Sequence, residues 1–534
     1  AKMAPRALAE QLVAALPASH HVAKVEIAGP GFINFFMASS ALTAVVNDII
    51  DAAENFGRSE VGNNQKAQVE FVSANPTGPL HVGHGRGAAV GDCLCRLLDA
   101  TGWDVTREYY VNDAGRQMDI LGLSTWLRYL DQHGVAVPFP SNAYQGGYVR
   151  DMAAQMTVAH GDKYVRPADA VLAGTPGMPE ADRADDEAKQ QRDLHLDALI
   201  ARAKELLGPD WAYVHQHALS EQLADCRDDL EGFGVHFDVW FSEKALFDTG
   251  LVARCIDLLE QKGHLYVQNG ARWFRSTTFG DEKDRVVQRE NGLYTYFASD
   301  IAYHVNKYER GFDRIIDIWG ADHHGYIARV KGALAALGLP PERLDVALVQ
   351  FAVLYRDGQK AAMSTRSGEF VTLRELRNEV GNDACRFFYV LRKADQHLDF
   401  DLDLAKSQSN ENPVYYIQYA HARLCSVLGQ WSGVEADLAD ADLARLDNER
   451  ELALCARLTA FPEVVQNAAS DYAPHQIAFY LKDLAGEFHS YYNAERMLVD
   501  DEGLKLARLA LAAAVRQVIR NGLALLGVSA PDSM

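Results

Sequence analysis

The sequence predicts an α/β protein in which a parallel sheet is built in two halves around an inserted lobe. A small α+β domain precedes the sheet and an all-α bundle follows it. Three observations support this prediction. Strand-like and helix-like segments alternate over residues 65–125, which is typical of a parallel sheet. Strand character returns at 314–319 and at 346–354 after a looser stretch. From residue 405 onwards nearly every segment has helical periodicity.

Length and composition set the limits of this prediction. A chain of 534 residues is too long for one hydrophobic core and suggests three or four domains. With 48% hydrophobic and 23% charged residues, and no apolar run of membrane-spanning length, we expect a soluble globular protein. The seven cysteines include no CxxC pair and no zinc-like Cys/His spacing, so we expect reduced thiols in an intracellular protein. The net charge of −21 weighs against general polyanion binding but allows a local basic track.

The predicted domains follow one another along the chain. In the first of them, a helix over residues 4–16 precedes two short strands around a Gly-Pro-Gly turn. In the lobe, residues 133–146 and 167–190 are rich in Pro, Gly, Ala and Asp, as surface loops are. The boundaries are 1–64 for the α+β domain, 65–125 for the first half of the sheet, 126–290 for the inserted lobe, 291–404 for the second half with its connecting helices, and 405–534 for the bundle.

The most informative motif covers residues 73–87, where an apolar strand leads through a polar turn into a helix that starts with His-x-Gly-His. His81 and His84 are three residues apart, so they share one face of a helix. The helix N-terminus favours phosphate, and Gly83, Gly85 and Gly87 leave room for a ligand near the backbone. Two imidazoles there could donate hydrogen bonds to charge developing on a triphosphate. A bare HxGH is more often a glycine-rich helix start, but the strand–turn–helix context favours the functional interpretation.

Three further motifs suggest a binding site. The loop at 358–368 carries Gly, Ser and basic residues that suit closure over phosphates, although an ordinary basic surface loop has the same composition. Tyr296 and Asp300 are four residues apart on a predicted helix and together could hold a guanidinium; a surface ion pair is the alternative. Residues 319–326 combine Asp with two adjacent histidines. We favour nucleotide binding over metal binding there, because adjacent histidines point in different directions and no further ligands follow.

Taken together, these motifs resemble the class I aminoacyl-tRNA synthetases, and the string from residue 73 to 86 resembles the arginyl-tRNA synthetases. The resemblance covers essentially the whole chain in order. It implies a split Rossmann-like class I catalytic domain with an inserted lobe, an N-terminal additional domain that is truncated at its start, and a helical anticodon-binding domain. Aromatic-rich segments at 412–423 and 487–493 would contact single-stranded RNA in that last domain.

The resemblance also implies roles for individual residues. For catalysis they are His81, His84, Lys360 and Arg366; for ATP, Gly83, Gly85, Gly320, Asp322, His323, His324, Met363 and Ser364; for arginine, Asn75, Glu243, Tyr296 and Asp300; and for tRNA, Tyr416, Tyr419, Arg423, Tyr491 and Asn493.

The loop at 358–368 resembles the KMSKS loop of the class I family, but the chain departs from the family pattern there. Met363 and Ser364 match its core, but Ala362 and Thr365 stand where lysines are expected. Some arginyl enzymes carry a compensating lysine three residues before the first histidine, and that position is Gly78 here. We therefore expect Lys360 or Arg366 to supply the positive charge.

The predicted reaction joins arginine to its tRNA. The arginine carboxylate attacks the α-phosphorus of ATP, giving arginyl-adenylate and pyrophosphate, and the 3′-terminal ribose hydroxyl of the tRNA then takes the arginyl group. ATP would bind with Mg²⁺ and no metal would be held by the protein itself. The partners would be tRNA, L-arginine and ATP, with no membrane, and we expect a cytoplasmic monomer.

Two other classes remain as alternatives. A small-molecule nucleotidylyltransferase shares the HxGH chemistry, but such chains are usually far shorter and lack a helical RNA-reading domain. A non-catalytic tRNA-binding relative is conceivable because the KMSKS lysines are missing, and the intact His81 and His84 argue against it.

Overall fold

The structure, a computed structural model, describes residues 3–19, 21–179, 185–361 and 371–534. Its N-terminal part packs one helix on a two-stranded antiparallel hairpin and continues into two short helices. These elements are α1 (Pro5–Ala15), β1 (Val22–Ala28), β2 (Phe32–Met37), α2 (Ser39–Thr43) and α3 (Val45–Ala52). The helix and the hairpin lie where the sequence predicts them.

The middle of the chain begins with a strand–helix–strand unit and a group of helices. In order these are β3 (Lys66–Glu70), α4 (Val82–Ala100), β4 (Asp104–Val111), α5 (Arg116–Gln132), α6 (Gly147–His160), α7 (Ala168–Leu172), α8 (Asp186–Leu207) and α9 (Asp210–Gly232). The helices α5 to α9 form a lobe with its own apolar core around Trp126 and Leu199, both completely buried.

The second part of the middle region alternates short strands and helices. In order these are β5 (Val239–Ser242), α10 (Glu243–Asp248), α11 (Leu251–Gln261), β6 (Leu265–Gln268), β7 (Ala271–Phe274), β8 (Arg285–Gln288), α12 (Tyr296–Glu309), β9 (Arg314–Gly320), α13 (Tyr326–Leu337), β10 (Leu344–Val349), β11 (Ala352–Arg356), β12 (Gln359–Lys360), α14 (Leu373–Val380), α15 (Asn382–Tyr389), β13 (Leu398–Asp401) and α16 (Leu402–Lys406).

A five-stranded parallel sheet in the order β10-β9-β3-β4-β5 forms the centre of the molecule. Its strands come from both halves of the chain, so the split predicted from the sequence is confirmed. The strand order reverses between β3 and β9, and ligands of open α/β sheets bind outside the carboxyl ends of the strands at such a reversal. The carboxyl edge near β3 and β9 is therefore the expected ligand site.

The sheet also corrects two details of the sequence prediction. The sequence assigns residues 126–290 to the inserted lobe, but β5 from that range forms an edge of the main sheet. The strand predicted over 346–354 is two strands: β10 ends at Val349, and β11 belongs to a separate sheet in the order β12-β11-β13. Periodicity alone does not reveal the break, because residues 344–356 are nearly all strand-forming.

The C-terminal part consists of helices, as predicted. They are α17 (Pro413–Gln430), α18 (Glu449–Thr459), α19 (Phe461–Ser470), α20 (His475–Ala494) and α21 (Glu502–Leu525). The bundle shares one continuous apolar core with the parallel sheet, in which Leu97 of α4 and Phe461 of α19 are both completely buried. Because burial of apolar area favours association, this core fixes the bundle against the sheet domain.

Candidate functional site

His81 and His84 lie where β3 gives way to α4. His81 is the N-cap of the helix, one residue before its first turn, and not its first helical residue as the sequence suggests. Its Nδ1 accepts a hydrogen bond from the backbone N–H of Gly83 at 3.0 Å. The Nδ1 of His84 accepts one from the backbone N–H of His81 at 3.2 Å. The two imidazoles thus form a reciprocal capping box in place of the usual hydroxyl and carboxylate side chains.

This capping fixes the chemistry of both rings. A nitrogen that accepts a backbone N–H carries no proton, so each neutral ring bears its proton on Nε2. The rings stack with their centroids 3.7 Å apart. Burial, together with the neighbouring His81, lowers the pKa of His84 to about 3, and burial also lowers the pKa of His81. Both rings are therefore neutral hydrogen-bond donors at physiological pH.

The three glycines of the motif have different surroundings. A Cβ on Gly83 would lie 2.8 Å from the His81 ring, so this glycine makes room for the capping imidazole. A Cβ on Gly85 would lie 2.7 Å from the Tyr389 hydroxyl. Gly85 is buried against protein, and its predicted contact with ATP is therefore wrong. Only open space faces Gly87.

The segment predicted to bind the nucleotide follows β9 at the same carboxyl edge. Asp322, His323 and His324 are all exposed, and the Nε2 of His323 lies 3.6 Å from the Asp322 carboxylate. Gly320 is adjacent to them, and a Cβ there would lie 2.5 Å from an Asp322 oxygen. The strand order reverses between β9 and β3. This segment follows β9, whereas the two histidines follow β3, so the segment and the histidines lie on opposite sides of the reversal.

The residues predicted to bind arginine meet at one cavity of about 310 Å³. Its lining is Tyr110, Asn112, Ala114, Gln117, Glu243, Tyr296 and Asp300. Asn75 reaches the cavity through Asn112, since the two side-chain amides lie 3.0 Å apart. Residues from three distant parts of the sequence therefore converge. The position of Asn112 directly after β4, at the carboxyl edge of the predicted sheet, indicates a place in the ligand crevice, whereas Tyr110 and Gln117 were missed.

Glu243 is the buried carboxylate of this cavity, with 3% of its surface exposed. Glu243 is the first residue of α10. The start of this helix is fixed by Asp113, whose carboxylate accepts the Ser242 hydroxyl at 2.6 Å and the Lys244 backbone N–H at 2.9 Å. The Ser299 hydroxyl donates to Glu243 at 3.0 Å. The Asn112 amide fits best with its nitrogen on the other Glu243 oxygen, 2.6 Å away. Burial, with a contribution from Asp300, raises the pKa of Glu243 to about 7.

Asp300 and Tyr296 are on α12 and differ in exposure. Tyr296 begins the helix and is 58% exposed, whereas Asp300 is half-buried one turn later. The Tyr326 hydroxyl donates a short hydrogen bond to the Asp300 carboxylate. Burial raises the pKa of Asp300, and this hydrogen bond opposes the rise. Tyr326 was not predicted, since it belongs to α13 and nothing in the sequence pairs it with α12.

The turn that presents Asn75 has an unusual backbone. Val72 and Ser73 adopt positive φ angles of 67° and 40°, which is costly for a β-branched residue such as valine. The Ser73 hydroxyl stabilises the turn by donating to Glu70 at 2.9 Å and accepting the Tyr110 backbone N–H at 3.1 Å. Asn75 is exposed at the end of this turn, so the strained backbone aims it at the cavity.

A buried charged network lies beneath the cavity. The Lys307 ammonium donates to Glu70 at 2.6 Å and to Asp317 at 2.7 Å, and the Arg310 guanidinium donates to Glu108 at 2.6 Å. Sequence analysis missed this network because its members come from β3, β4, α12 and β9. It connects the helix of Asp300 to three neighbouring strands of the sheet.

The loop that resembles KMSKS is only partly described. Lys360 is exposed in β12, where it pairs with Tyr355 of β11. Met363, Ser364 and Arg366 lie outside the described residues. From residue 371 onwards, the Val371 carbonyl accepts the Val82 backbone N–H at 3.1 Å, and the Leu80 carbonyl accepts the Leu373 N–H at 2.8 Å. The chain after the loop is thus hydrogen-bonded directly to both sides of His81.

Two positions near this loop do not supply the missing positive charge in the part of the chain that the structure describes. A Cβ on Gly78 would lie 3.1 Å from the Tyr148 hydroxyl, and that hydroxyl donates to the Thr77 carbonyl at 2.6 Å. Tyr148 thus takes the space that a side chain at position 78 would need. Arg86 is completely buried and donates to the carbonyls of Gln350 (2.8 Å), Gln396 (2.7 Å) and Lys393 (3.0 Å), so it is a structural residue.

The predicted RNA-binding residues do not form one uniform surface. Tyr416 and Tyr419 are half-buried beside His489, with ring centroids 4.5 and 5.8 Å from its ring. The Arg423 guanidinium lies 4.4 Å from the Tyr419 ring centroid. Asn493 is exposed near the end of α20. These four residues are accessible to a ligand to different degrees.

Tyr491 has a different environment. It is 1% exposed, and its hydroxyl donates to the buried Glu451 carboxylate at 3.0 Å. Its predicted contact with tRNA is therefore wrong. Aromatic density in the sequence does not distinguish helix-packing rings from rings at a surface.

The sequence predicts no metal held by the protein. Among the described residues one group could hold an ion: His421, Cys425 and Asp532, whose donor atoms lie within 4.8 Å of one another. In the structure Asp532 accepts from Arg520 at 3.2 Å, and the His421 Nδ1 lies 2.9 Å from the Pro531 carbonyl. These contacts fasten the C-terminal segment to α21 and α17. No helix in the described ranges is both long and apolar enough to cross a membrane.

Comparison with known proteins gives matches along the whole chain. The family model described as "tRNA synthetases class I (R), catalytic domain" matches residues 46–152 and 219–397. "DALR anticodon binding domain" matches 417–534, and "Arginyl tRNA synthetase N terminal domain" matches 1–37.

Curated relatives and solved structures agree with these matches. A protein named arginine–tRNA ligase from Dechloromonas aromatica is 77% identical over 533 residues, which are 100% of this chain and 91% of that protein. One of the same name from Azoarcus sp. is 75% identical over 534 residues, again 100% of this chain and 91% of the relative. The fold is similar to that of Thermus thermophilus arginyl-tRNA synthetase, with a TM-score of 0.72, 24% identity, and coverage of 100% of this chain and 92% of that structure.

Proposed function

The chain belongs to the arginyl-tRNA synthetases, and on this premise we propose how its own residues perform the reaction. It catalyses the ATP-dependent ligation of L-arginine to its tRNA through an arginyl-adenylate, releasing AMP and pyrophosphate. The observation that carries the residue assignment is the convergence of Glu243, Tyr296 and Asp300 on one cavity, at the same sheet edge as His81 and His84.

Arginine binds in this cavity through its two positively charged groups. Asp300 accepts the guanidinium, for which a carboxylate offers two parallel hydrogen bonds, and Tyr296 lies over it. Glu243 takes the remaining cationic group, and Asn75 contacts the α-amino end. The volume of about 310 Å³ is within the range of small-molecule sites. Two carboxylates in one cavity, Glu243 buried and Asp300 half-buried, favour an amino acid with two cationic groups over neutral amino acids.

ATP binds across the strand reversal, between His81 and the Asp322–His324 segment. The arginine carboxylate attacks the α-phosphorus, and negative charge develops on the phosphate oxygens. The Nε2–H groups of His81 and His84 donate to that charge. Because their Nδ1 atoms are held by backbone N–H groups, the donors need no reorganisation during the reaction, which is the basis of electrostatic stabilisation. No side chain acts as a covalent nucleophile; the catalytic effect is positioning and electrostatics.

Other assignments extend this proposal. ATP enters as its Mg²⁺ complex, and Lys360 or Arg366 adds positive charge near the β- and γ-phosphates. The bundle reads the anticodon region of the tRNA, with Tyr416, Tyr419, Arg423 and Asn493 as contact candidates. In domain terms, residues 1–64 are the additional domain and 405–534 the anticodon-binding domain. The catalytic fold takes 65–125 and 291–404 together with β5, so the insertion is shorter than the predicted range 126–290. The enzyme acts as a monomer in the cytoplasm.

ATP–pyrophosphate exchange tests the assignment of the substrate. We expect exchange with L-arginine alone among the amino acids, measured with and without tRNA, and loss of arginine-dependent exchange in Asp300→Asn. Exchange with a different amino acid would overturn the arginine site. Adenylate transfer to a small molecule without any amino acid would indicate a nucleotidylyltransferase, and tRNA binding without any exchange would indicate a non-catalytic relative.

A further inference from the structure

His304 lies buried between two hydrogen-bond acceptors beneath the arginine cavity. It is on α12, one turn after Asp300, and only 3% of its surface is exposed. Its Nδ1 lies 2.7 Å from the backbone carbonyl oxygen of Asp300. Its Nε2 lies 2.7 Å from Oδ2 of Asp317 on β9. The ring therefore contacts an acceptor at each nitrogen.

A neutral imidazole cannot satisfy both contacts. It has one donor and one acceptor nitrogen, whereas a backbone carbonyl can only accept. Asp317 can only accept because it is ionised: the Lys307 ammonium donates to its other oxygen at 2.7 Å and, against the effect of burial, holds the pKa of this carboxyl below its ordinary value. If His304 carried a single proton, one lone pair would face another at 2.7 Å in a buried site, which is strongly unfavourable. Protons on both nitrogens satisfy every atom.

We propose that His304 is held permanently as an imidazolium and that this buried cation positions Asp300 and sets the charge of the arginine site. His304 is a positioning residue: it does not touch substrate but fixes the backbone of Asp300 and ties α12 to β9. The inference rests on the proposed function, because it takes Asp300 as a partner of arginine.

The charges around the cavity show what the imidazolium does. The carboxylates facing this region from β3, β4, α10, α12 and β9 are Glu70, Glu108, Glu243, Asp300 and Asp317, and the cations are Lys307, Arg310 and His304. The hydroxyls of Tyr110, Tyr303, Tyr326 and Ser299 face the same region. Lys307 pairs with Glu70 and Asp317, Arg310 with Glu108 and His304 with Asp317, so among these five carboxylates Glu243 and Asp300 have no ion pair. Asp113 also lies near Glu243, and its carboxylate accepts the Ser242 hydroxyl and the Lys244 backbone N–H.

Those two unpaired carboxylates are the ones that line the cavity, and arginine brings two cationic groups. With a neutral His304, a third negative charge would remain in the same buried region. A proton on one of the carboxylates would relieve it, and Glu243 is susceptible because burial raises its pKa to about 7. A protonated carboxyl would attract the substrate less. The imidazolium thus favours the ionised form of both carboxylates, which is the form that attracts arginine.

The protonation of His304 can be measured without any activity assay. We would label the histidines of the full-length protein with ¹⁵N and assign the His304 signals by their loss in His304→Gln. We expect N–H couplings at both ring nitrogens from about pH 6 to about pH 8, a range over which an ordinary histidine loses one proton. His195 is the matched control, since it is also buried but contacts one acceptor, the Pro176 carbonyl at 2.6 Å. A single proton on His304 at pH 7 would overturn the proposal.

A second measurement uses binding of arginine and of ATP with tRNA present. We expect His304→Gln to raise the Kd of arginine about tenfold, equivalent to about 1.4 kcal/mol, while the Kd of ATP changes less than about twofold. Adding Asp317→Asn removes the matching negative charge, so the double variant should regain most of the arginine affinity. His195→Gln should change neither constant.

The outcomes separate this inference from the assignment of the site. A folded His304→Gln protein with unchanged arginine affinity would overturn the positioning role, and so would a double variant that binds no better than the single one. If the single variant does not fold, the ¹⁵N measurement on the wild type still decides. If Asp300→Asn leaves arginine binding unchanged, the proposed arginine site fails, whatever the protonation of His304.

Discussion

His81 and His84 stack with their ring centroids 3.7 Å apart, and each accepts a backbone N–H through Nδ1 at the start of α4. The same interactions that cap the helix therefore hold two Nε2–H donors side by side. Capping uses the Nδ1 edge of each ring, and the proposed catalytic role uses the Nε2–H edge. Substitutions can separate the two roles, because other side chains cap helices equally well.

We predict that His81→Asn and His84→Gln lower the rate of ATP–pyrophosphate exchange by a factor of about 10² to 10³, as expected for loss of one preorganised donor. Asn is a good N-cap and Gln completes a capping box, so stability should change by less than about 0.5 kcal/mol. Exchange kinetics and thermal unfolding measure the two effects, and His81→Ala should reduce both. Exchange within threefold of wild type in a folded variant would rule out the phosphate role.

We predict that kcat/KM for arginine rises with pH through about 7. The pKa of Glu243 is about 7, so below that value the carboxyl is mostly protonated and attracts a cation poorly. Above it the carboxylate is ionised and the parameter reaches a plateau. His84, with a pKa of about 3, contributes no change in this range.

The profile is measured from about pH 5.5 to about pH 8.5 at saturating ATP and tRNA, well within the range where histidine and raised carboxyl groups titrate. Glu243→Gln should lower kcat/KM at pH 8 and flatten the profile. A profile that keeps its slope in Glu243→Gln would assign the titration to another group.

We predict that neutralising the basic residues of the KMSKS-like loop lowers kcat with little change in the KM of arginine. That pattern indicates an interaction made mainly in the transition state, where charge on the β- and γ-phosphates grows. Lys360→Ala, Arg366→Ala and the double variant test this at saturating tRNA. Arg356→Ala is the matched control, since Arg356 is in the adjacent strand but is paired with Glu379 at 2.9 Å. If the double variant keeps wild-type kcat, the counter-charge comes from Mg²⁺ or from another residue, and Arg86 is not available for it.

We predict opposite effects for two tyrosines of the helical bundle. Tyr419→Ala should weaken tRNA binding by about 1 to 3 kcal/mol, the usual contribution of one stacked base, and leave stability nearly unchanged. Tyr491→Phe should leave the Kd of tRNA unchanged and lower the free energy of unfolding by about 1 kcal/mol, because the buried Glu451 loses a hydrogen-bond donor. Filter binding and chemical unfolding distinguish them. A weaker tRNA complex for Tyr491→Phe with normal stability would return that residue to the interface.

The sequence draws attention to a candidate residue most directly where its neighbours along the chain form a pattern. His81, His84, Tyr296 and Asp300 belong to short local patterns on strands and helices, but for Tyr296 and Asp300 the resemblance, and not the spacing, favours a guanidinium site over a surface ion pair. Asn75 and Glu243 came from resemblance and reach the same cavity, which spacing alone does not reveal.

The remaining features depend on contacts across the fold. Gly85 faces Tyr389, 304 positions later, and Tyr491 faces Glu451 on another helix, so neither burial is visible in a local motif. Tyr148, Tyr326, His304 and Lys307 act through partners on separate elements. The positive φ angles of Val72 and Ser73 are imposed by the surrounding structure, and neither residue type indicates such a conformation.

The position of Arg86 affects the order in which the enzyme becomes active during its synthesis. Its carbonyl partners at Gln350, Lys393 and Gln396 are 264 to 310 residues further along the chain. A nascent chain emerges from the ribosome N-terminus first, so α4 and its two histidines exist long before these partners do. Until these partners are made, burying the Arg86 guanidinium in the apolar interior of the first half-sheet would be costly. The half-sheet and α4 are therefore expected to stay loosely packed. We therefore expect His81 and His84 to take their final positions only after about three-quarters of the chain has been made, and an incomplete polypeptide should bind ATP poorly.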